Sequence, residues 1–471
     1  MSTTPRPAPA SRQDVTLRRA LGLPSLVLFG LAYLVPLTVF TTYGIVTQET
    51  GGRVALAYCV TTFAMIFTAF SYARMVRAFP VAGSAYTYSQ RTFGSHAGFL
   101  TGWSLMLDYL FLPMINYLVI GIYMEAQFPA VPLWVWVVLA IALVTVLNVV
   151  GITSIARASS IIIAVQAVFI VVFVALALRA AGGVETVVNP FVGDGSVEGI
   201  GPVLAGAAIL CLSFLGFDAV STMAEEARDP RRDIPRAILL VTVAGGVMFV
   251  LLSSVAQLAA PATTFADPDS ATLDVMAAVS GSWLGTFFTA AYVAGCIGSA
   301  LTSQASVTRI MYVMGRDGVL PRPLALLSRR WRTPVVAIVL VSVISLLATV
   351  ISLDLLASVV SFGALAAFST VNLAVVKHYV VDEGRRAGAD LVRYLVMPLV
   401  GFAMSVWLWT SLSGQSLRLG LIWLAVGIAY LACSPAASAA RPRRWTSPRP
   451  TSRAGWRGDA GPVTGMGTVG G

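Results

Sequence analysis

Two long apolar segments of this chain are interrupted at matching places in the two halves of the sequence. Residues 21–47 are broken by the run 30–36, which contains Gly and Pro, and residues 201–227 are broken at 213–218. Each interrupted segment opens a block of five apolar segments. A break inside an apolar segment leaves backbone N–H and C=O groups without helical partners, and protein or water must satisfy them. The matched breaks therefore predict a polar site inside the fold.

The composition places these segments in a membrane. The 471 residues are 57% hydrophobic and 11% charged, whereas a soluble domain carries about 25% charged residues. A helix of about twenty apolar residues crosses a bilayer. Twelve segments approach or exceed that length, so the sequence predicts an all-α integral membrane protein with twelve transmembrane helices. They are residues 21–47, 54–78, 97–124, 133–153, 157–178, 201–224, 235–259, 283–308, 335–351, 354–376, 394–411 and 417–433.

The two interrupted segments give this order of helices a repeat. Because each block holds an odd number of helices, residues 21–178 and 201–376 are expected to form a five-plus-five inverted repeat. Inverted repeats that open on broken helices are typical of secondary transporters. The helices of residues 394–433 carry Trp residues suited to membrane interfaces and are expected to be peripheral. Residues 20–433 would form one transporter domain, while the Pro- and Arg-containing tails 1–19 and 434–471 are expected to be disordered cytoplasmic segments.

The distribution of basic residues predicts the orientation. All but three of the 31 Lys and Arg residues fall on one side of the predicted membrane, the exceptions being Arg53, Arg179 and Arg418. Loops rich in Lys and Arg stay in the cytoplasm, so both termini are expected there, in a protein of the cytoplasmic membrane. This bias accounts for the net charge of +10, and no nucleic-acid partner is expected.

No pattern of catalytic residues is found in the sequence. It has no phosphate-binding loop, nucleophile elbow or pair of catalytic carboxylates, and its four cysteines lack the spacing of metal ligands. We therefore expect no enzymatic activity, no metal site and no cofactor beyond a coupling ion, H⁺ or Na⁺. The expected partners are the lipid bilayer and a small amine or amino acid, and the oligomeric state is not predicted.

Two acidic residues lie deep in the predicted helices. Asp108 is midway along the third segment, and Asp218 is at the break of the sixth. Ionisable residues inside a membrane are costly and usually functional. Because no basic residue lies at a comparable depth, the two carboxylates predict a site for a cation: an amine, a proton or Na⁺. Two structural alternatives stay open, since Asp218 could cap the inner half of its helix and Asp108 could hydrogen-bond a neighbouring hydroxyl.

Other polar groups of the predicted helices have two interpretations each. The backbone of residues 30–38 could hold a ligand, or Pro36 could only kink the helix. Glu225 belongs to a charged cluster after the sixth segment, which is either an ion-pair gate or ordinary loop charge. Small polar residues on the eighth segment could line a cavity or only allow close packing; they are Ser299, Thr302, Ser303, Gln304 and Ser306.

Several motifs resemble those of the amino acid–polyamine–organocation superfamily. Residues 79–88 read FPVAGSAYTY and residues 213–219 read SFLGFDA, a string common to that superfamily. Residues 107–116, LDYLFLPMIN, are similar to the branch of bacterial putrescine importers. The likeness runs from about residue 17 to residue 433 and includes shorter matches at residues 102–104, 225–226, 234–237, 311–317 and 331–334.

The resemblance implies a leucine-transporter-like fold and alternating access. It implies import of a small organic amine, putrescine or a related polyamine, driven by a proton gradient. The unwound parts of the first and sixth helices would line the site, and Asp218 would contact the amine. The implied substrate-binding residues are Ala32, Tyr33, Leu34, Thr38, Thr41, Asp108, Tyr109, Phe214, Gly216, Phe217 and Asp218. The candidates for proton coupling are Asp108, Asp218 and Glu225.

The sequence departs from the putrescine-importer pattern at two positions. Thr41 stands where that branch usually carries an acid, and Gln304 stands where it tends to carry His. A diamine has two ammonium groups and needs two acceptors when it leaves water. An amino-acid permease of the same superfamily is therefore the alternative prediction, and a non-transporting membrane sensor is a third.

Overall fold

The regular secondary structure of the described residues is almost entirely helical. The computed structural model describes residues 19–182, 188–266, 268, 271–351, 353–410, 412 and 414–433. The predicted disordered tails lie outside these residues, apart from Arg19. Within the described residues, β-structure is limited to two isolated bridges. The α-helices are α1 (Leu23–Leu34), α2 (Tyr43–Thr50), α3 (Val54–Ala78), α4 (Ser84–Phe93), α5 (Ser95–Gln127), α6 (Leu133–Val150), α7 (Ile152–Ala181), α8 (Gly201–Leu210), α9 (Pro230–Ala259), α10 (Ala271–Ser280), α11 (Ser282–Arg316), α12 (Val335–Ser345), α13 (Leu353–Val375), α14 (Ala389–Leu391), α15 (Met397–Thr410) and α16 (Gly414–Cys433).

Ten helical runs among the described residues are long and apolar enough to cross a membrane. They are Leu23–Phe40, Val54–Ala78, Ser95–Glu125, Leu133–Val150, Ser159–Ala181, Gly201–Met223, Pro230–Ala259, Ser282–Arg316, Val360–Asp382 and Ala389–Thr410. Two other predicted segments correspond to shorter apolar helices, Val335–Thr349 and Leu417–Cys433. The structure thus confirms a multi-pass, all-helical membrane protein, while the count of twelve crossings stays a prediction.

Helix α5 packs against α4, α6, α11, α13 and α16. This helix contacts α11 and α13 over much of its length, and α3 packs along α9. The interrupted helix that begins with α1 packs against α7, α9 and α11. Helices α15 and α16 lie against α3, α5 and α13. This arrangement brings the two broken helices beside the middle of α5.

The first predicted break is present, but it lies at the end of the expected run. Helix α1 continues through Ala32, Tyr33 and Leu34, because the amide of Val35 still bonds the carbonyl of Leu31. Val35 then takes a φ of +52°, a strained conformation for a β-branched residue. A 3₁₀ helix, Pro36–Phe40, follows before α2. The expectation that residues 32–34 are unwound is therefore wrong, while the break itself is confirmed.

The second predicted break lies where the sequence placed it. Helix α8 ends at Leu210 and passes into a 3₁₀ helix, Cys211–Phe214. Gly216 has a φ of +120°, which reverses the backbone and is readily adopted by glycine alone. A second 3₁₀ helix, Asp218–Met223, begins directly after this turn. Asp218 is its first residue, and Phe217 is the N-cap residue, so the alternative role of Asp218 as N-cap is not observed.

Candidate functional site

The two buried acids meet where the second broken helix passes the middle of α5. The side chains of Asp108 and Asp218 have no exposed surface, and they lie close enough for their charges to interact. The hydroxyl of Tyr109 donates a hydrogen bond to Oδ2 of Asp218. Oδ1 of Asp218 and both carboxylate oxygens of Asp108 have no hydrogen-bond partner among the described residues. The site therefore presents three free acceptor atoms on two acidic side chains.

Aromatic rings from four helical elements surround these acids. The ring of Tyr33, at the end of α1, lies 6.0 Å from that of Tyr109, and its hydroxyl is buried without a partner in the described structure. Phe217, from the second break, lies 5.9 Å from Tyr72 of α3 and 5.3 Å from Phe368 of α13. Faces of aromatic rings attract cations, most strongly where water is excluded.

Gly216 allows the two broken helices to pack closely against each other at this point. A Cβ atom on Gly216 would lie 2.2 Å from Cδ1 of Tyr33, which no side chain could tolerate. The backbone of the second break therefore packs directly on the ring of Tyr33. In the same way, a Cβ on Gly363 of α13 would lie 2.8 Å from the amide of Asp108. Both contacts fix the walls of the acidic site.

The chemistry of this site fits an organic cation. Burying a carboxylate is costly unless a counter-charge or hydrogen bonds compensate it. Neither Asp108 nor Asp218 forms an ion pair with a residue of the described ranges. An ammonium group supplies a positive charge and several N–H donors, so it can satisfy the free carboxylate oxygens and contact the surrounding rings.

The remaining predicted residues of the first break bond within the protein. The hydroxyl of Thr38 donates to the carbonyl of Leu34 at 3.2 Å, and the hydroxyl of Thr41 lies 2.7 Å from that of Tyr292 in α11. Ala32 is buried within α1. In the second broken helix, Phe214 is buried with its ring 5.3 Å from that of Phe249 in α9. These contacts stabilise the broken helices, and a role of the four residues in substrate binding stays a prediction.

The polar residues of the eighth segment hold α11 to its neighbours. The hydroxyl of Ser299 donates to the backbone carbonyl of Tyr33 at 2.8 Å and accepts from Asn116 of α5 at 3.0 Å. Gln304 donates to Ser342 of α12 at 2.7 Å and accepts from Asn148 of α6 at 3.2 Å. Thr302 and Ser303 bond carbonyls of α11, and Ser306 accepts from Thr222 at 3.2 Å.

The end of the helix bundle at which α4 lies is called here the α4 end. Charged residues connect three helical elements there. Glu226 and Arg309 form an ion pair whose side chains are each 3% exposed. Glu225 pairs with Arg316 at 3.1 Å and is more accessible. The hydroxyl of Tyr86 in α4 donates to Oδ2 of Asp317 at 2.9 Å. The predicted ion-pair cluster after the sixth segment is thus present as contacts with the end of α11.

The sequence did not predict two of the aromatic residues that surround the acids. Tyr72 and Phe368 come from α3 and α13, which carry no break and no internal acid near these positions. The hydroxyl of Tyr72 was a weak signal, because a polar group inside a membrane-spanning segment is costly and is often functional. Phe368 gave no such signal, since phenylalanine is common in apolar helices.

An integral membrane protein whose two broken helices meet at a buried acidic site has the architecture of a secondary transporter. Residues 25–428 match the family model of amino acid permeases. The chain is 41% identical over 431 residues to the low-affinity putrescine importer PlaP of Escherichia coli, covering 89% of this chain and 94% of that protein. It is 27% identical over 451 residues to the branched-chain amino acid permease BcaP of Bacillus subtilis, with coverage of 89% and 93%. It is also 28% identical over 397 residues to cationic amino acid transporter 4 of Mus musculus, with coverage of 79% and 61%. The chain belongs to the amino acid permease family of the amino acid–polyamine–organocation superfamily.

Proposed function

We propose that this permease is a proton-coupled importer of a small organic amine, putrescine or a related polyamine. The observation that carries the proposal is the pair of buried acids, Asp108 and Asp218, with three free oxygen atoms among aromatic rings. The 41% identity to a putrescine importer supports the same substrate class. One ammonium group of the substrate would contact Oδ1 of Asp218, and the other would contact the carboxyl group of Asp108.

The first break favours an amine over an α-amino acid. Transporters with broken helices hold a substrate carboxylate on the free amides of a half-helix N-terminus. Here the amides of Val35 and Thr38 bond backbone carbonyls, and Pro36 has no amide hydrogen. A substrate carboxylate would also face the charges of Asp108 and Asp218. The first break therefore offers an anion fewer free amides than an open half-helix N-terminus does, and the two carboxylates favour a cation.

The departure at Thr41 is compatible with a diamine. Its uncharged hydroxyl is hydrogen-bonded to Tyr292, so Thr41 does not serve as a second charged acceptor. Asp108, with both oxygens free, supplies a second carboxylate beside Asp218. Two acidic side chains match the two positive charges of a diamine.

Asp108 and Asp218 are also the stronger candidates for carrying the coupling proton. Glu225 already has a cationic partner, Arg316, at 3.1 Å, so its negative charge is compensated without a proton. Asp108 and Asp218 lack such a partner. Import driven by an inward proton gradient requires the proton and the amine to be bound together. One carboxyl group would therefore hold the proton and still accept a hydrogen bond through its C=O oxygen, while the other stays ionised and balances the charge of the amine.

Alternating access would follow from a five-plus-five inverted repeat within twelve transmembrane helices. Helix α3 packs on α9 and α5 packs on α11, and these are the second and third helices of the two proposed blocks. Contacts between equivalent helices support a pseudo-two-fold axis in the membrane plane. By the positive-inside rule, the α4 end and both termini would face the cytoplasm, in the cytoplasmic membrane.

Uptake into proteoliposomes with an imposed inward proton gradient tests this proposal. We expect radiolabelled putrescine to accumulate and to be displaced by unlabelled putrescine, while ornithine, the same diamine with an α-carboxylate, competes weakly. Collapse of the gradient with an ionophore should abolish accumulation. Absence of putrescine uptake, with ornithine or another amino acid transported instead, would contradict the amine assignment.

An amino-acid permease of the same family is the second candidate. The match to a branched-chain amino acid permease favours it, although that identity is 27%. Uptake of leucine or isoleucine in the same vesicles, unaffected by excess putrescine, would be the result that selects this candidate over the first.

A further inference from the structure

Four buried hydroxyl groups lie between Asp218 and α4. They belong to Tyr72, Ser84, Tyr88 and Ser221 and are called here the hydroxyl cluster. Ser221 donates to Ser84 at 2.8 Å. The hydroxyl of Tyr72 lies near Ser84 and that of Tyr88 lies near Ser221. Neither tyrosine hydroxyl reaches hydrogen-bond geometry with any group of the described residues.

The hydroxyl cluster is unfavourable for a purely structural role. Buried hydroxyls that make no hydrogen bond destabilise a fold, so native proteins keep few of them. The backbone of Ser84 is also strained, with a φ of +47° in a residue that is not glycine. Strain and unsatisfied groups that occur together are typical of binding sites, where the ligand supplies the missing partner.

The surroundings of the hydroxyl cluster favour a cation. Tyr72 and Tyr88 pack edge to face with ring centroids 6.2 Å apart, and Asp218 lies close enough to interact electrostatically with both. Hydroxyl oxygens accept hydrogen bonds from an ammonium group, and tyrosine rings attract its charge.

We propose that the hydroxyl cluster is a second, transient binding station for a primary ammonium group. The ammonium would occupy it while the substrate passes between the Asp108–Asp218 site and the α4 end. This proposal rests on the proposed function, because it assumes that an organic amine reaches Asp218. It adds a separate site on the route, formed by α3, α4 and the 3₁₀ helix Asp218–Met223.

The variants Tyr88→Phe and Tyr72→Phe test the station because each removes a hydroxyl and keeps the ring. We expect the rate of putrescine counterflow in proteoliposomes to fall about tenfold, as for loss of one hydrogen bond to a charged group in the transition state. In Tyr88→Phe the affinity for putrescine in equilibrium binding should stay within about twofold, because the carboxylates are intact. The unfolding temperature should not fall, since neither hydroxyl loses a partner.

Tyr430→Phe is the matched control. Its hydroxyl donates to the carbonyl of Val319 at 3.1 Å, remote from the acids, so counterflow should stay at the wild-type rate. Wild-type counterflow in both cluster variants would overturn the station. Loss of equilibrium binding in Tyr88→Phe would overturn it too, because that hydroxyl would then belong to the main site. A wild-type protein without putrescine counterflow would contradict the proposed function first, and the station with it.

Discussion

Tyr109 fixes one oxygen of Asp218 and leaves the other free. The phenol donates to Oδ2 from a position one residue after Asp108 on α5, so one turn of helix carries both an acid and the group that orients the second acid. A carboxylate whose rotation is restrained binds a cation with less loss of entropy. Tyr109 is therefore a positioning residue for the acidic site.

Replacement of Tyr109 by Phe should weaken binding of putrescine. The Asp218 carboxylate would then have to be ordered on binding, which costs about 1 kcal/mol, or roughly fivefold in the dissociation constant. Isothermal titration of the purified variant measures the change. Tyr117→Phe is the control, because the Tyr117 hydroxyl on the same helix bonds the neutral Gln304 at 3.3 Å. Equal affinities for Tyr109→Phe and the wild type would contradict the positioning role.

At the scale of helices, the contact between α4 and α11 depends on a partly buried acid. Burial raises the pKa of Asp317 above its ordinary value of 3.8, against the opposing effects of the Tyr86 hydrogen bond and the Arg316 charge. The folded protein thus binds this proton more tightly than the unfolded chain does. Ionisation of Asp317 therefore destabilises the fold. This destabilisation is absent at pH values below the ordinary pKa and complete at pH values above the raised pKa.

The variant Asp317→Asn should remove this pH dependence. As the pH rises from about 4, near the ordinary pKa of Asp317, the wild type should lose stability relative to the variant because Asp317 ionises. Unfolding temperatures measured in detergent over this rise in pH give the difference between the two proteins. A difference that is constant with pH, or that changes in the opposite direction, would show that burial does not govern Asp317.

The sequence predicted the two broken helices well because Gly, Pro and Asp mark breaks in any helix. It also predicted that Asp108 and Asp218 belong to a cation site, since charged residues deep in apolar segments have few other roles. It did not predict that α1 stays helical through Leu34, because the strained turn at Val35 depends on packing against α11. The assignment of Thr41 to the substrate site stays a prediction, and its hydrogen bond to Tyr292, 251 residues away in the chain, was not predicted. Contacts that distant carry no local signal.

At the scale of the whole molecule, one buried ion pair connects three parts of the chain. The backbone carbonyl of Glu226 accepts the amides of Ala20 and Leu21, just before α1. The side chain of the same residue pairs with Arg309 of α11. The segment before the first broken helix, the end of the second and the last two turns of α11 are therefore fixed to each other at the α4 end.

Glu226→Gln should destabilise the whole fold. It leaves Arg309 buried without a counter-charge, which costs about 3–5 kcal/mol. Glu225→Gln breaks the more accessible pair with Arg316 and should cost only about 0–1 kcal/mol. Thermal unfolding of both variants in the same detergent compares them, and equally small effects would mean that the Glu226–Arg309 pair does not stabilise the fold.

The central claim is that Asp108 and Asp218 together bind an organic amine. The most direct measurement is a titration of radiolabelled putrescine against purified wild type, Asp108→Asn and Asp218→Asn. We predict saturable binding to the wild type and an affinity at least about tenfold lower for Asp218→Asn. Binding retained in Asp108→Asn, with gradient-driven accumulation lost, would assign the proton to Asp108. Wild-type affinity and full accumulation in both variants, or no saturable binding to the wild type, would contradict the account.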